Sequence, residues 1–239
     1  MTITDAHGPL PDPRVLVRAT DWATLEHAYG PAEESPALLV GLLADDLSTQ
    51  ARALRHLEDP IHHQNSVYSA TVPAALFVAA ALKDPSTATA LPAPGGGQKQ
   101  VRAALLDWLE SVADAVGNAA EATMARLGLC LESNPVSVQV RALRPAIFRA
   151  VSAFLHDPDA AVQEAAIAAA ISLLDAPELE HHRSVLTPLV RGVLATSADK
   201  SYRFVAARGL SAWGQEGGPS PALQDAGPWA RGWSTEPPF

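Results

Sequence analysis

The sequence predicts an all-α protein built as a short stack of antiparallel helix pairs. Alanine supplies 46 of the 239 residues and aromatic residues only 5%, which favours closely packed helices over a sheet. Hydrophobic residues make up 48%, enough for a core, and this excludes a disordered chain. Four segments share one pattern: a proline begins an apolar helix, an Asp-containing turn follows, and a second helix begins. A single such unit cannot bury its apolar face, so the units are expected to stack.

The four predicted units begin at Pro36, Pro73, Pro145 and Pro188. Proline suits the first turn of a helix because that N–H has no partner inside the helix. The wide interval between the second and third prolines accommodates an extra helical stretch, 119–143, and a loop rich in proline and glycine, 84–98, expected to be flexible. Residues 1–35 are expected to cap the stack, residues 36–213 to form the repeats, and residues 214–239, with Trp229 and Trp233, to form an irregular tail.

The third unit shows the pattern most clearly. Asp157 precedes Pro158, which disfavours continuing the first helix, and Asp159 is placed to cap the second. Small and branched apolar residues then recur at helical spacing. The predicted core positions of this helix are Ala166, Ile167, Ala170, Ile171 and Leu174.

This unit resembles a HEAT repeat. Its D-P-D-x-x-V-Q-x-x-A-x-x-A core has Gln163 where the repeat usually has arginine. The fourth unit keeps Asp199 and Arg203 loosely, and the first keeps Arg52-Ala53. HEAT and armadillo repeats have periods of about 40–47 residues. The resemblance implies a short HEAT/armadillo-like α-solenoid; the alternative is an irregular alanine-rich helical bundle.

The region before the second unit carries a second resemblance. It matches a W-A-x-L-x-x-A-Y-G opening, then an H-Q-x-x-x-Y-x-A-T link, then proline and phenylalanine, as in an uncharacterised family of bacterial HEAT-repeat proteins. The matching residues are Trp22, Ala23, Leu25, Ala28, Tyr29, Gly30, His63, Gln64, Tyr68, Ala70, Thr71, Pro73 and Phe77. The resemblance implies no known reaction. Members near toxin genes suggest an immunity role.

The link around His63, Gln64 and Tyr68 allows three interpretations. Its polar groups can satisfy loose backbone groups at two helix ends, form a partner or ligand site, or bind a metal. The metal interpretation is the weakest, because His62 and His63 are adjacent and would point about 100° apart on a helix. No metal site or cofactor is therefore expected.

Charge and motifs restrict the chemistry further. The net charge is −9, and residues 1–60 alone carry −6, so nucleic acid and anionic membranes are not expected partners. There is no G-x-S-x-G motif, and Cys130 in an apolar run is expected to be a buried, inert thiol. A single cysteine and the absence of a recognisable signal peptide suggest a cytoplasmic protein.

Two functions remain. The first is a non-catalytic module that binds another protein, expected to be a basic toxin neutralised by this chain as an immunity protein. The expected contact residues are Arg52, Arg55, Arg102, Gln163 and Arg203 on the second helices, with His63, Gln64 and Tyr68 at the link. The alternative is an enzyme or enzyme accessory, because HEAT-like repeats also occur in DNA-repair glycosylases and phycobilin lyases. No catalytic residue stands out for that alternative.

Overall fold

The computed structural model describes residue 8, residues 10–92 and residues 97–215. Within these ranges the chain is mostly helical, so the all-α prediction is confirmed. The helices are α1 (Pro13–Ala19), α2 (Ser35–Val40), α3 (Leu47–His56), α4 (Thr71–Ala81), α5 (Val101–Ala115), α6 (Asn118–Arg126), α7 (Pro135–Ala142), α8 (Arg144–Val151), α9 (Ala160–Leu173), α10 (Arg183–Thr196) and α11 (Lys200–Ala212). Two short antiparallel pairs join β1 (Glu26–His27) to β2 (Gly30–Pro31) and β3 (Ala90–Pro92) to β4 (Gln98–Gln100).

The predicted opening prolines fall in first turns at three of four places. Pro36, Pro73 and Pro145 each lie within the first three residues of α2, α4 and α8. The prediction for Pro188 is wrong, because α10 already begins at Arg183 and Pro188 lies inside it. The chain turns earlier, through a 3-10 segment that starts at Pro177.

Aspartates begin three of the second helices. Asp46 accepts from the backbone N–H of Thr49, Asp159 from those of Ala161 and Val162, and Asp199 from that of Ser201. Each carboxylate satisfies N–H groups that have no partner inside the helix, and its charge suits the positive helix end. The capping role predicted for Asp159 is therefore confirmed.

One continuous core joins most of the helices. α5 packs along α9 in the most extensive helix contact, α9 in turn contacts α8 and α11, and α1 lies against α4. The predicted core positions of α9 are all buried: Ala166, Ile167, Ala170, Ile171 and Leu174. None of the helices in the described ranges combines the length and the hydrophobicity that spanning a bilayer requires.

One local prediction differs from the structure, and another stays a prediction. In the described parts of segment 84–98, a 3-10 turn at Pro85–Ala88 leads into β3 and β4, and Thr87 and Leu91 are buried; the flexibility expected of this segment stays a prediction. The prediction of a buried thiol is wrong, because Cys130 is exposed in the connection after α6. Gly128, with φ +73°, ends the helix there, and α6 itself buries no residue. The predicted tail with Trp229 and Trp233 lies outside the described residues.

Candidate functional site

A β-hairpin with a two-residue turn presents an exposed tyrosine near the amino-terminal end of the fold. β1 and β2 are joined by Ala28 and Tyr29, and Gly30 supplies the positive φ of +125° that the turn requires. Tyr29 is 62% exposed. Beneath it, the buried ring of His27 accepts a hydrogen bond from the Tyr29 N–H at Nδ1, and its Nε2 lies 2.8 Å from a carboxylate oxygen of Glu34. The imidazole thus fixes the hairpin from below.

The chain leaves α3 through a π-helical turn, Leu57–Ile61, that contains Pro60. Proline lacks the N–H that would continue the helical pattern, and the widened turn redirects the chain. Two carbonyl groups of this turn accept hydrogen bonds from other parts of the chain. Ala28 N–H donates to Pro60 O at 2.9 Å, and Trp108 Nε1 donates to Leu57 O at 2.8 Å. The turn is therefore fixed to both the hairpin and α5.

Tyr29, Asp59 and His63 form one hydrogen-bonded set, here called the Tyr29 cluster. Tyr29 Oη donates to Asp59 Oδ1 at 2.7 Å, and His63 Nδ1 lies 2.9 Å from the same oxygen and 3.2 Å from Tyr29 Oη. The hydrogen bond from Tyr29 lowers the pKa of Asp59, and the hydrogen bond to Asp59 raises the pKa of Tyr29. The phenol therefore keeps its proton, and its ring is held out toward solvent.

The residues after His63 adopt an uncommon backbone. Gln64 and Asn65 have φ values of +49° and +59°, in the left-handed region that side chains other than glycine rarely occupy. Such strain persists only where surrounding contacts impose it. Gln64 is exposed, whereas Tyr68 is half-buried and its N–H donates to Thr71 Oγ1.

The backbone groups of the link are satisfied by residues next to those predicted. Thr71 Oγ1 donates to Ile61 O at 2.6 Å. The buried His62 bonds to Ser66 O through Nδ1 at 2.9 Å, and its Nε2 lies 3.0 Å from Ser111 Oγ of α5. Burial lowers the pKa of His62 to about 4, so this imidazole is neutral at physiological pH. His62 and Thr71 therefore satisfy the backbone groups of the link, a role that the sequence suggested for His63 and Gln64.

A surface groove of about 480 Å³ lies beside the Tyr29 cluster. It contains two predicted contact residues, Arg52 and Arg55, both exposed on α3. Asp59 belongs to both the groove and the Tyr29 cluster. The groove is lined by Leu38, Arg52, Arg55, His56, Glu58, Asp59 and Pro60.

The other three predicted contact residues bind the chain itself. Arg102 Nε donates to Leu82 O at 2.7 Å, just after α4. Gln163 Nε2 donates to Leu155 O at 3.1 Å, and Arg203 donates to Ser197 O. Each side chain, from the start of a second helix, satisfies a carbonyl at the end of the first helix of its pair. These hydrogen bonds give all three side chains a role inside the fold, and their contact with a partner stays a prediction.

The face of α9 between α5 and α11 is also covered by internal contacts. Asp107 of α5 accepts from Tyr202 Oη of α11 at 2.9 Å, and Asp114 of α5 pairs with Arg208 of α11 at 2.7 Å. Ser172 of α9 is itself buried. A partner gripping the second helices here would have to break these links.

The structure thus joins His63 to Tyr29 and Asp59, and Asp59 also lines the groove that contains Arg52 and Arg55. Tyr29 was part of the sequence resemblance, but nothing in the sequence paired it with Asp59, thirty residues away. In the described ranges, no group of three or more His, Cys, Asp or Glu side chains could hold a metal ion. Comparisons of the chain with protein-family models, with curated proteins and with solved structures gave no match.

Proposed function

We propose that this protein is a non-catalytic protein-binding module on a short HEAT-like α-solenoid, and that it binds its partner through the Tyr29 cluster. The observation that carries the proposal is Tyr29 itself: 62% exposed, yet held by a hydrogen bond to Asp59 at 2.7 Å. A tyrosine fixed in this way offers a large contact area and has little conformational freedom left to lose on binding.

The solenoid part of the proposal is supported by a recurring contact. Gln50 donates to Leu42 O, as Gln163 does to Leu155 O and Arg203 to Ser197 O. In each case the donor lies four residues after the capping aspartate of its helix. Arg102 makes the same kind of contact two residues after Gln100, which provides no side-chain cap. Equivalent contacts in successive helix pairs are what a repeat predicts.

The charge around Tyr29 favours a basic partner. Glu26, Glu33 and Glu34 are exposed in and next to the hairpin, and Asp59 stays ionised because its pKa is lowered. Acidic side chains around an aromatic anchor speed and orient the capture of a basic protein. This matches a role as an immunity protein that neutralises a basic toxin in the cytoplasm.

The raised pKa of Tyr29 favours binding over catalysis, because a catalytic phenolate requires the opposite shift. The alternative, an enzyme or accessory related to DNA-repair glycosylases or phycobilin lyases, would also need a reactive group next to the groove. Asp59 and His63 are the pair that such an enzyme would use.

The test is co-expression with the small open reading frame that adjoins the gene, followed by affinity capture and a growth assay. We expect the wild-type chain to bind the neighbour's product and restore growth. Tyr29→Ala should weaken binding at least about tenfold, as loss of an aromatic anchor does. Val185→Ala, which shortens a 71% exposed side chain on α10, is the matched control and should bind normally.

Three outcomes would refute the proposal: no binding to the neighbour, equal binding by Tyr29→Ala and wild type, or turnover of a nucleic acid or small molecule by the pure protein. Tyr29→Phe distinguishes the contribution of the aromatic ring to binding from that of its hydroxyl group. Binding intermediate between wild type and Tyr29→Ala is expected, because the ring remains but is no longer held by Asp59.

A further inference from the structure

One exposed face of α3 and the turn after it carries two cations followed by two anions. This set, here called the α3 stripe, consists of Arg52, Arg55, Glu58 and Asp59, all exposed and all lining the groove. Within the described part of the chain, Arg52, Arg55 and Glu58 form no ion pair. Asp59 uses Oδ1 for both Tyr29 and His63.

The charges of the α3 stripe have a fixed polarity. The two arginines lie on α3 and the two carboxylates on the π-helical turn that follows it, so positive charge precedes negative charge along the stripe. All four residues line the same groove, which places them on one face of the protein. A partner of uniform charge would meet like charge at one end of the stripe. A fitting partner must carry the reverse polarity.

A second copy of the same chain has this polarity when it lies antiparallel. When Arg52 lies opposite Asp59 of the second copy, Arg55 lies close to Glu58 of the second copy, because the two pairings differ by only two residues in register. Two-fold symmetry repeats both contacts, which gives four ion pairs in one arrangement. We infer that the α3 stripe is a self-association surface through which two copies of this chain pair about a two-fold axis.

The arrangement also satisfies charges that the single chain leaves unpaired. Residues 1–60 carry −6, so two such regions repel each other at long range. Arg52 and Arg55 offset that repulsion only where they face the carboxylates of the other copy. The dimer therefore has one register and is weakened by salt, since its ion pairs are exposed. This inference goes beyond the toxin partner, and Asp59 belongs to both the α3 stripe and the Tyr29 cluster.

Sedimentation equilibrium of the full chain, up to about 500 µM, tests the inference, because a few exposed ion pairs support only a weak dimer. We expect reversible dimers at low salt. Raising the salt to about 0.5 M should weaken association at least about tenfold. The double variants Arg52→Glu/Arg55→Glu and Glu58→Arg/Asp59→Arg should each remain monomeric, because each places like charges opposite one another.

Mixing the two double variants is the decisive step. Their stripes are wholly acidic and wholly basic, so the mixture should form dimers at least as tightly as wild type. Lys83→Glu/Arg126→Glu changes the net charge as much as the first double variant, at two other exposed positions, and should dimerise like wild type. Circular dichroism checks the fold of each variant. If Asp59→Arg disturbs the Tyr29 cluster, the pair Arg55→Glu and Glu58→Arg gives the same mixing test.

Wild-type chain that stays monomeric throughout this range would overturn the inference. A dimer that survives in both double variants would overturn it as well. So would two folded double variants that fail to associate on mixing.

Discussion

A Cβ atom placed on Gly209 of α11 would lie 2.6 Å from Cγ2 of Ile171 in α9. The two helices therefore touch at a position that only glycine fits. The methyl group on Ile171 is attached directly to its Cβ and cannot swing away, because branched side chains are stiff at χ1. This contact fixes how closely the last helix pair approaches the one before it.

Gly209→Ala should therefore destabilise the protein by about 1–3 kcal/mol, the range for overpacking a core. Urea unfolding measures the change. Gly192→Ala is the control: it lies exposed in α10 with no atom near the added methyl group, and it should stabilise by up to about 1 kcal/mol. Adding Ile171→Ala to Gly209→Ala should recover part of the loss. Strictly additive effects of these two changes would contradict a direct contact.

Gln163 should tolerate arginine better than glutamate. Arginine keeps a donor for Leu155 O, as Arg203 does for Ser197 O in the next pair. Glutamate removes the donor and places a negative charge beside a carbonyl oxygen. We expect Gln163→Arg to match wild type and Gln163→Glu to lose about 1–2 kcal/mol in thermal or urea unfolding. Equal stability of the two variants would show that this hydrogen bond does not support the fold.

His62 should make the protein less stable as the pH falls from about 6.5 to about 4. Burial lowers its pKa in the folded state, so in this window the unfolded chain binds the proton more readily. Above the ordinary histidine pKa of 6.5, His62 is neutral in both states and costs no stability. By pH 4 the free energy of unfolding should be lower by up to about 3 kcal/mol. The buried His56, whose pKa is also lowered by burial, acts in the same direction.

The measurement is urea unfolding at several pH values for wild type and His62→Gln. Glutamine retains a donor for Ser66 O and an acceptor for Ser111, but it does not titrate. Its stability should depend less on pH across this window. Parallel pH profiles for the two proteins would exclude His62 as the source of the dependence.

Cys130 should react with a thiol reagent in the native protein, because it is exposed in the connection after α6. One equivalent of an aromatic disulfide reagent should react without denaturant, at a rate typical of a free thiol. Cys130→Ser should not react. A native thiol that reacts only after unfolding would support the buried position that its apolar sequence neighbours suggested.

Local sequence signals predicted the helical parts of the fold well. Asp159 capping α9 and the buried face from Ala166 to Leu174 follow from side chains acting within one helix. The prediction at Pro188 failed because a proline can lie inside a helix, where it removes one backbone hydrogen bond without ending the helix. The apolar residues around Cys130 likewise could not show that α6, the helix before it, contains no buried residue.

The sequence by itself determined the helical class, the caps and the apolar faces, because each depends on residues within a few positions of one another. Tertiary structure alone decided how the candidate site is assembled, because its assembly depends on contacts between distant residues. It placed Tyr29 against Asp59 and His63, and it engaged Gln163 and Arg203 with carbonyls of their own helix pairs. A polar residue that faces solvent and one that caps a helix inside the fold look the same in a sequence. Only the position of the neighbouring chain shows which of the two roles the residue has.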